Sequence, residues 1–327
     1  MTCVAVLKGG RSLERHVSLR SGARVADALA HLGHDVVSID VDADLVQRLR
    51  DAAPDVAFVA LHGPFGEDGT VQELLEVIGL PYTASGVFAC IRCSDKVLAK
   101  HAMRDAGIPT PDFYAFNETA FRELGAAGAL PDIEDRLEFP IVVKPASQGS
   151  ALGIKFARRA ADVPAALVAA FSYGDKVLLE RYVSGRDLAV SVLDGDDGPV
   201  ALPVVEAVPR ERDFYDFDAR YEIGRTDFVC PADLGDGVAR RAQELSVEAY
   251  RLLGCYGFAR IDLMLDGAGG LHILEANVIP GLTDTSLLPQ AAEAAGISFG
   301  DVVARLVGLA IARDGRGRTG ARTTAPA

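Results

Sequence analysis

The chain is short of positive charge: 33 Lys and Arg stand against 46 Asp and Glu, a formal net charge of -13. Nucleic acids and anionic lipids need positive potential to hold them, so neither is expected as a partner. Any anionic substrate must be gripped by local cations. Cysteine is scarce as well. Its five copies are an odd number in a long chain and do not read as a disulfide framework, and the one C-x-x-C, Cys90 and Cys93, has no second pair to complete a zinc site. These two read as helix-packing residues. No apolar run reaches the roughly 20 residues of a membrane span, and MTCVAVLKGG lacks the basic stretch, apolar core and cleavage site of a secretory leader. A cytoplasmic location is expected. Internal repeats are lacking, and so is the G-x-x-x-x-G-K-[ST] phosphate loop.

What is present is an ordinary globular composition: 327 residues with 49% hydrophobic, enough for about two domains or three small ones with substantial cores. The first third alternates apolar strands (CVAVLKGG, DVVSIDV, DVAFVALHG) with amphipathic helices (SLRSGARVADALAHLG and Gly69 to Ile78). This rhythm predicts a parallel, Rossmann-like sheet with crossover helices over residues 1–95. Gly9 and Gly10, and His62 and Gly63, follow strands in that unit, at the strand ends where open α/β sheets bind ligands. A helix at Asp95 to Ala106 and the punctuation GIPTP lead into an α+β unit over 96–185, and a strand-rich unit follows over 186–313. The last helix is expected from Phe299 to Ala312. Beyond it, DGRGRTGARTTAPA (314–327) has no apolar period and is expected to be a disordered tail.

Two groups of residues carry chemistry. In VVKPASQGSALG, Lys144 ends an apolar run and stands before the small-residue loop, the reverse of a phosphate loop that opens a helix. Further on, Asp262 lies in the strand RIDLML and Glu275 and Asn277 in LHILEAN; residues two apart in a strand project to one face. Hard oxygen donors converging from two strands suit Mg²⁺, which takes carboxylates together with phosphate oxygens. The alternative is three polar tips at strand ends. Arg260, two residues before Asp262, shares its face. Glu14 follows the Gly9–Gly10 turn, where a carboxylate can pair with a substrate ammonium.

These pieces, taken with KGGRSLERHVSLRSG, ALHGPFGEDGTVQ, LPYTASG, SDKVLAK, LLERYVSGRD, FYDFDARY, CPADL, GFARIDLML and LEANVIPGLTDTSLLP in this order, resemble the ATP-grasp carboxylate–amine ligases. Within that superfamily the chain is similar to the D-alanine–D-alanine ligases, over nearly its whole length. The resemblance implies an ATP-grasp fold in which two sheets close on ATP. Lys96 and Lys144 would contact its phosphates under the loop from Ser147 through Gly149 to Gly153, and Glu180 would accept from the adenine amino group. The backbone of Arg181, Tyr182 and Val183 would read the ring edge, and Asp187 would hold the ribose. Asp262, Glu275 and Asn277 would hold two Mg²⁺ ions, with Mn²⁺ as an alternative. Glu14 would bind the ammonium of the first of two D-alanines, in a hydrogen-bonded set with Ser150 and Tyr221, with His62 and Glu67 nearby. Arg260 and the Gly281 N–H would face the transition-state charge, and Ser286 with the Leu287 amide would receive the carboxylate of the second D-alanine. A homodimer is implied too.

Several positions depart from the family pattern. Arg220 stands where a lysine that touches the γ-phosphate is usual, and Ala151 where a second serine is common. His16 replaces an acidic residue. Val278 and Ile279 replace Thr-Ser, and Asp284-Thr285 replaces Ser-His. The last four flank the second-substrate pocket, so D-serine, a D-hydroxy acid or another acceptor stays open there. A nucleotide-binding regulator without catalysis would be expected to lose a magnesium ligand or a phosphate lysine, and Lys144, Asp262, Glu275 and Asn277 are all present.

Overall fold

In a computed structural model, residues 1–209 and 226–321 are described. The N-terminal strands β1 (Cys3–Lys8), β2 (Asp35–Asp40) and β3 (Val56–Val59) form a parallel sheet in the order β2-β1-β3. The four central residues of β1, Val4 to Leu7, are wholly buried, as the unbroken apolar run demands of a strand covered on both faces. Helix α1 (Arg15–His31) lies against this sheet through Val17, Val25 and Leu29. Its close approach depends on Gly22: a Cβ there would sit 2.5 Å from the Lys8 Cβ. Helices α2 (Leu45–Ala52) and α3 (Thr70–Ile78) complete the alternation seen in the sequence. Helix α4 (Val87–Ser94) buries Cys90 and Cys93, and all five cysteines are free thiols.

Helix α5 (Lys96–Asp105) starts where the Asp95 side chain accepts from the amides of Val97 and Leu98, satisfying two of the unpaired donors of a helix N-terminus. It leads to an antiparallel sheet of β4 (Phe113–Asn117), β5 (Ile141–Pro145), β6 (Lys155–Ala157) and β7 (Lys176–Arg181), ordered β4-β7-β5-β6. Helices α6 (Glu118–Glu123), α7 (Leu130–Leu137) and α8 (Val163–Phe171) belong to this unit, and α7 and α8 pack its separate small core with Ile141, Val143, Val177 and Leu179.

A larger antiparallel sheet follows. Its path is β11 (Thr226–Val229), β10 (Val205–Pro209), β8 (Gly185–Gly195), β12 (Phe258–Asp266) and β13 (Leu271–Asn277), with β9 (Gly198–Ala201) pairing β8. Helix α9 (Asp236–Leu253) packs against β8 and β12, and α10 (Leu287–Ala294) and α11 (Phe299–Ala321) close the chain. The N-terminal sheet and this one share a single apolar core. Helix α11 ends at Ala321, beyond the Ala312 expected from the sequence. No single helix among the described residues is long and apolar enough to cross a membrane.

Candidate active site

The two antiparallel sheets face each other across a cleft. From the smaller sheet come Lys144, at the end of β5, and Glu180, near the end of β7. Their strands are neighbours, and the Lys144 Nζ donates to Glu180 Oε1 at 2.7 Å. A second ammonium, Lys100 on α5, forms an ion pair with Glu180 Oε2 at 2.6 Å. Burial pushes the Glu180 carboxyl up, but the two ammonium groups outweigh it and bring it below the ordinary glutamate value. A cavity of about 110 Å³ opens beside this cluster, lined by Glu180, Tyr182, Val183, Asp187, Met264 and Leu274 among others. Here the sequence reading narrows: the Arg181 amide donates to Asp112 O at 2.9 Å and the Tyr182 amide to Pro140 O at 3.3 Å. With those two amides engaged, the expectation of reading a ring edge passes to the carbonyls of Arg181 and Tyr182 and to the Val183 N–H.

From the larger sheet come Arg260, Asp262, Glu275 and Asn277. Strand register puts Asp262 opposite Glu275 and Arg260 opposite Asn277, so all four share a face. A bulge makes this arrangement: the pairing shifts between Asp262 and Leu263, which faces Ile273 rather than Leu274. One extra residue on β13 re-aims the strand, and Leu274 and Glu275 both line the cleft as a result. Arg260 forks onto Asp262 with contacts of 2.6 and 2.8 Å. Lys96, in the first turn of α5, reaches Glu275 Oε2 at 3.0 Å and donates to the Gln148 carbonyl at 2.7 Å. Two carboxylates facing each other across one strand pair, each held by a cation, together with the Asn277 amide, are the hard-oxygen donor set that a divalent cation takes. The residues fit such an ion.

A third cluster lies where the N-terminal unit meets the loop after β5. Glu14 precedes α1, and its carbonyl accepts from the amides of Val17 and Ser18. Its side chain is buried; Ser150 Oγ donates to Oε1, while Oε2 has no hydrogen-bond partner among the described residues. Burial, then the nearby Glu67 carboxylate, pushes the Glu14 carboxyl above its ordinary value, partly offset by Ser150, His62 and Lys96. Two glycines make room for it. A Cβ at Gly63 would lie 2.5 Å from Glu14 Oε2, and one at Gly149 would lie 2.8 Å from the same atom. The adjoining cavity, about 320 Å³, is lined by Glu67, Lys96, Ser147, Gly149, Glu275 and Asn277 among others.

His62 lies near Glu67 and Glu14, as expected, with both ring nitrogens engaged by the protein. Its Nε2 meets Ser21 Oγ at 3.0 Å and its Nδ1 meets Ile279 O at 3.1 Å, with Glu67 Oε1 at 3.5 Å. The carbonyl acceptor assigns the proton to Nδ1, and neither nitrogen is left for a ligand. His62 instead fixes the turn after β13. Ser21 Oγ also accepts from the Leu282 amide at 3.3 Å, and Arg24 donates to the Leu282 carbonyl at 3.0 Å. That turn carries Gly281, whose missing Cβ would fall 2.6 Å from Ser286 Oγ. Ser286 Oγ accepts from the Thr283 amide at 3.0 Å and precedes Leu287, the first residue of α10. Val278 and Ile279 are buried, whereas the Asp284 side chain is 82% exposed and paired with Arg24 at 2.9 Å. Arg220 and Tyr221 lie outside the described residues.

The sequence reading missed Lys100. The signal was there: Lys96, Val97, Ala99, Lys100 and Met103 are the buried positions of α5, so Lys100 sits in phase with an apolar helical face, where an unpaired ammonium is too costly to keep.

Two antiparallel sheets closing on a cleft, with lysines on one wall and metal-type donors on the other, define an ATP-grasp fold. Residues 102–308 match the family model described as the D-ala D-ala ligase C-terminus, and residues 45–85 match the N-terminus of the same ligases. A D-alanine–D-alanine ligase of Moorella thermoacetica is 43% identical over 94% of this chain and 99% of its own length, and that of Desulforudis audaxviator is 44% identical over 94% and 98%. The crystal structure of the Bacillus anthracis D-alanine–D-alanine ligase complexed with ATP superposes with a TM-score of 0.81 at 30% identity, covering 97% of this chain and all of that one. The chain therefore belongs to the D-alanine–D-alanine ligase family.

Proposed function

We propose that this chain joins two D-alanines into D-alanyl-D-alanine at the expense of ATP, by way of D-alanyl phosphate, and so supplies a precursor of peptidoglycan. The observation that carries the reading is a shared wall: Lys96, Gln148 and Glu275 line both the cleft between the sheets and the pocket beside Glu14. A nucleotide in the first and an amino acid in the second meet there.

In this reading Glu14 pairs with the ammonium of the first D-alanine, for which its unpartnered Oε2 is suited, and Lys96 and Lys144 hold the phosphates. Asp262, Glu275 and Asn277 hold magnesium, which when bound neutralises charge on the phosphate oxygens. Glu180 accepts from the adenine amino group and Asp187 from the ribose hydroxyls. The carboxylate of the first D-alanine attacks the γ-phosphorus, the bond to the ADP oxygen breaks, and a poor acyl donor becomes an acyl phosphate. The second D-alanine, its carboxylate on Ser286 Oγ and the Leu287 amide, loses a proton and attacks the acyl carbon. The tetrahedral oxyanion forms beside the Gly281 N–H and Arg260, then collapses to dipeptide and phosphate. Loop 147–153 excludes water from the acyl phosphate. Catalysis is positioning plus electrostatics.

Asp284 is exposed and paired with Arg24, which takes that departure away from direct contact with an acceptor, whereas Val278 lines the pocket beside Glu14; the relatives over the whole chain favour D-alanine as the acceptor. A cytoplasmic homodimer accords with the family; sedimentation or light scattering of the purified chain checks the dimer. The activity is tested by phosphate release with ATP and Mg²⁺ and, in turn, D-alanine, L-alanine, D-serine, or D-lactate plus D-alanine, with products identified by mass. Release with D-alanine and a D-alanyl-D-alanine product is the expected result. Silence with D-alanine and turnover with another acceptor overturns the assignment of substrate.

A further inference from the structure

Glu180 carries two ammonium groups where one would balance its charge, and the two are not equivalent. Lys144 lines the cleft and the base-side cavity. Lys100 lines neither and has no solvent exposure at all, so it cannot touch a nucleotide. Whatever it does is done through Glu180. Its Nζ also donates to Thr110 Oγ1, which in turn donates to the Ile273 carbonyl at 2.8 Å. Ile273 lies on β13 two residues before Glu275, and its amide is held by Pro109 O at 2.8 Å. The Phe113 ring, on the strand that pairs with β7, lies 5.1 Å from the ammonium. Lys100 therefore pins the end of β7 in the smaller sheet to β13 in the larger one.

We infer that Lys100 is a positioning residue for nucleotide choice: it fixes Glu180 as a permanent acceptor, so that the base pocket takes a 6-amino purine and rejects a 6-oxo purine, while Lys144 is released to the phosphates. This rests on the reading that Glu180 faces the adenine amino group. An ionised carboxylate only accepts hydrogen bonds; it pairs with an amino group and repels a purine carbonyl. A lone Glu180–Lys144 pair would have to serve two ligands, since a phosphate draws Lys144 away and leaves a buried carboxylate inclined to take up a proton. Protonated, it would donate to a 6-oxo group and the discrimination would vanish. Lys100 prevents this because no ligand competes for it. Burial pulls the Lys100 ammonium down to about 8 against the raising effect of Glu180, with Lys144 pulling it down and Asp112 raising it, so it is still mostly charged at neutral pH.

The test measures dissociation constants of ATP and ITP by calorimetry, with Mg²⁺, on the full chain and on Lys100→Met, Lys100→Arg and Glu180→Gln, alongside KM for each nucleotide and for D-alanine. In Lys100→Met the preference for ATP over ITP is expected to fall about tenfold or more. The KM for ATP should rise far more than that for D-alanine, and Lys100→Arg, which keeps a cation, should recover most of the preference. A helix that had merely lost a packing residue would weaken both nucleotides alike. If Glu180→Gln collapses the preference and Lys100→Met leaves it intact, the inference is overturned while the adenine reading stands. If Glu180→Gln leaves it intact as well, the adenine reading falls and takes the inference with it. Should Lys100→Met fail to fold, Thr110→Val, which keeps the lysine and removes its anchor, is judged by the same outcomes.

Discussion

Glu14→Gln separates binding from stability, because the two effects have opposite signs. In the free protein the Glu14 carboxyl is buried, accepts from Ser150 and has one oxygen unpartnered, and its pKa is raised by burial first and by Glu67 second. Raised above the unfolded value, it contributes stability that is greatest below the unfolded pKa and is lost as pH rises through the folded one. At neutral pH the ionised group is therefore a cost, and a neutral amide of the same shape removes it. The Glu14→Gln variant should keep the melting temperature unchanged or raise it. For the first D-alanine the same change removes a buried charge-assisted contact to an ammonium, for which about 2 to 3 kcal/mol is a fair loss, or on the order of 30- to 150-fold in apparent affinity. The wild-type KM for the first D-alanine should also climb as pH falls through a value above the ordinary glutamate range, and this acid limb should disappear in the variant. Initial rates at saturating ATP over a pH series, with melting curves on the same samples, provide the assay. An unchanged KM would sink the assignment of Glu14 to the ammonium, and a clear loss of melting temperature would show that its charge stabilises the free fold.

Other perturbations probe the remaining walls of the site. Glu275→Gln removes one of two facing carboxylates and a partner of Lys96; turnover should drop by at least about 100-fold, with partial relief at high Mg²⁺, and a near-normal rate would remove Glu275 from the metal site. Gly149→Ala drives a methyl to within 2.8 Å of Glu14 Oε2, so KM for the first D-alanine should rise about tenfold or more while ATP affinity measured by calorimetry stays close to wild type; equal losses for both ligands would contradict the placement. Ser286→Ala should raise the KM of the second D-alanine with little effect on that of the first, and the reverse pattern in substrate-dependence curves would move Ser286 to the other pocket.

Much of this site is written locally in the chain. The two-residue spacing of Glu275 and Asn277, and of Arg260 and Asp262, is enough to set each pair on one face of a strand, and the structure joins the pairs in register. Gly63 and Gly149 flank motifs the sequence displays openly. What the sequence does not display are contacts closed by the fold. Both nitrogens of His62 are taken by Ser21 and Ile279, a helix and a turn far apart in the chain; the sequence places this histidine by the site without showing what holds it. Lys100 escapes for a related reason. A lysine on a helix is ordinarily solvated, and only the arrival of Glu180 and Thr110 makes its burial tolerable.

The bulge on β13 has a consequence for how the chain tolerates change in length. The hairpin end of the β12–β13 pair, where Leu265 faces Leu271 and Leu263 faces Ile273, keeps one register; the chemical end, where Asp262 faces Glu275, keeps another, offset by one residue. Were the hairpin's register continued without interruption, Leu274 would fall opposite Asp262 and Glu275 would turn to the opposite side of the sheet. A residue gained or lost in the Asp266–Gly270 turn can be absorbed there, because the turn and the carboxylates are not geared rigidly to each other. Loss of Leu274, the single residue between Ile273 and Glu275, would instead remove the bulge and carry the hairpin register straight through, with Glu275 still opposite Asp262 but without the local bend that re-aims the strand.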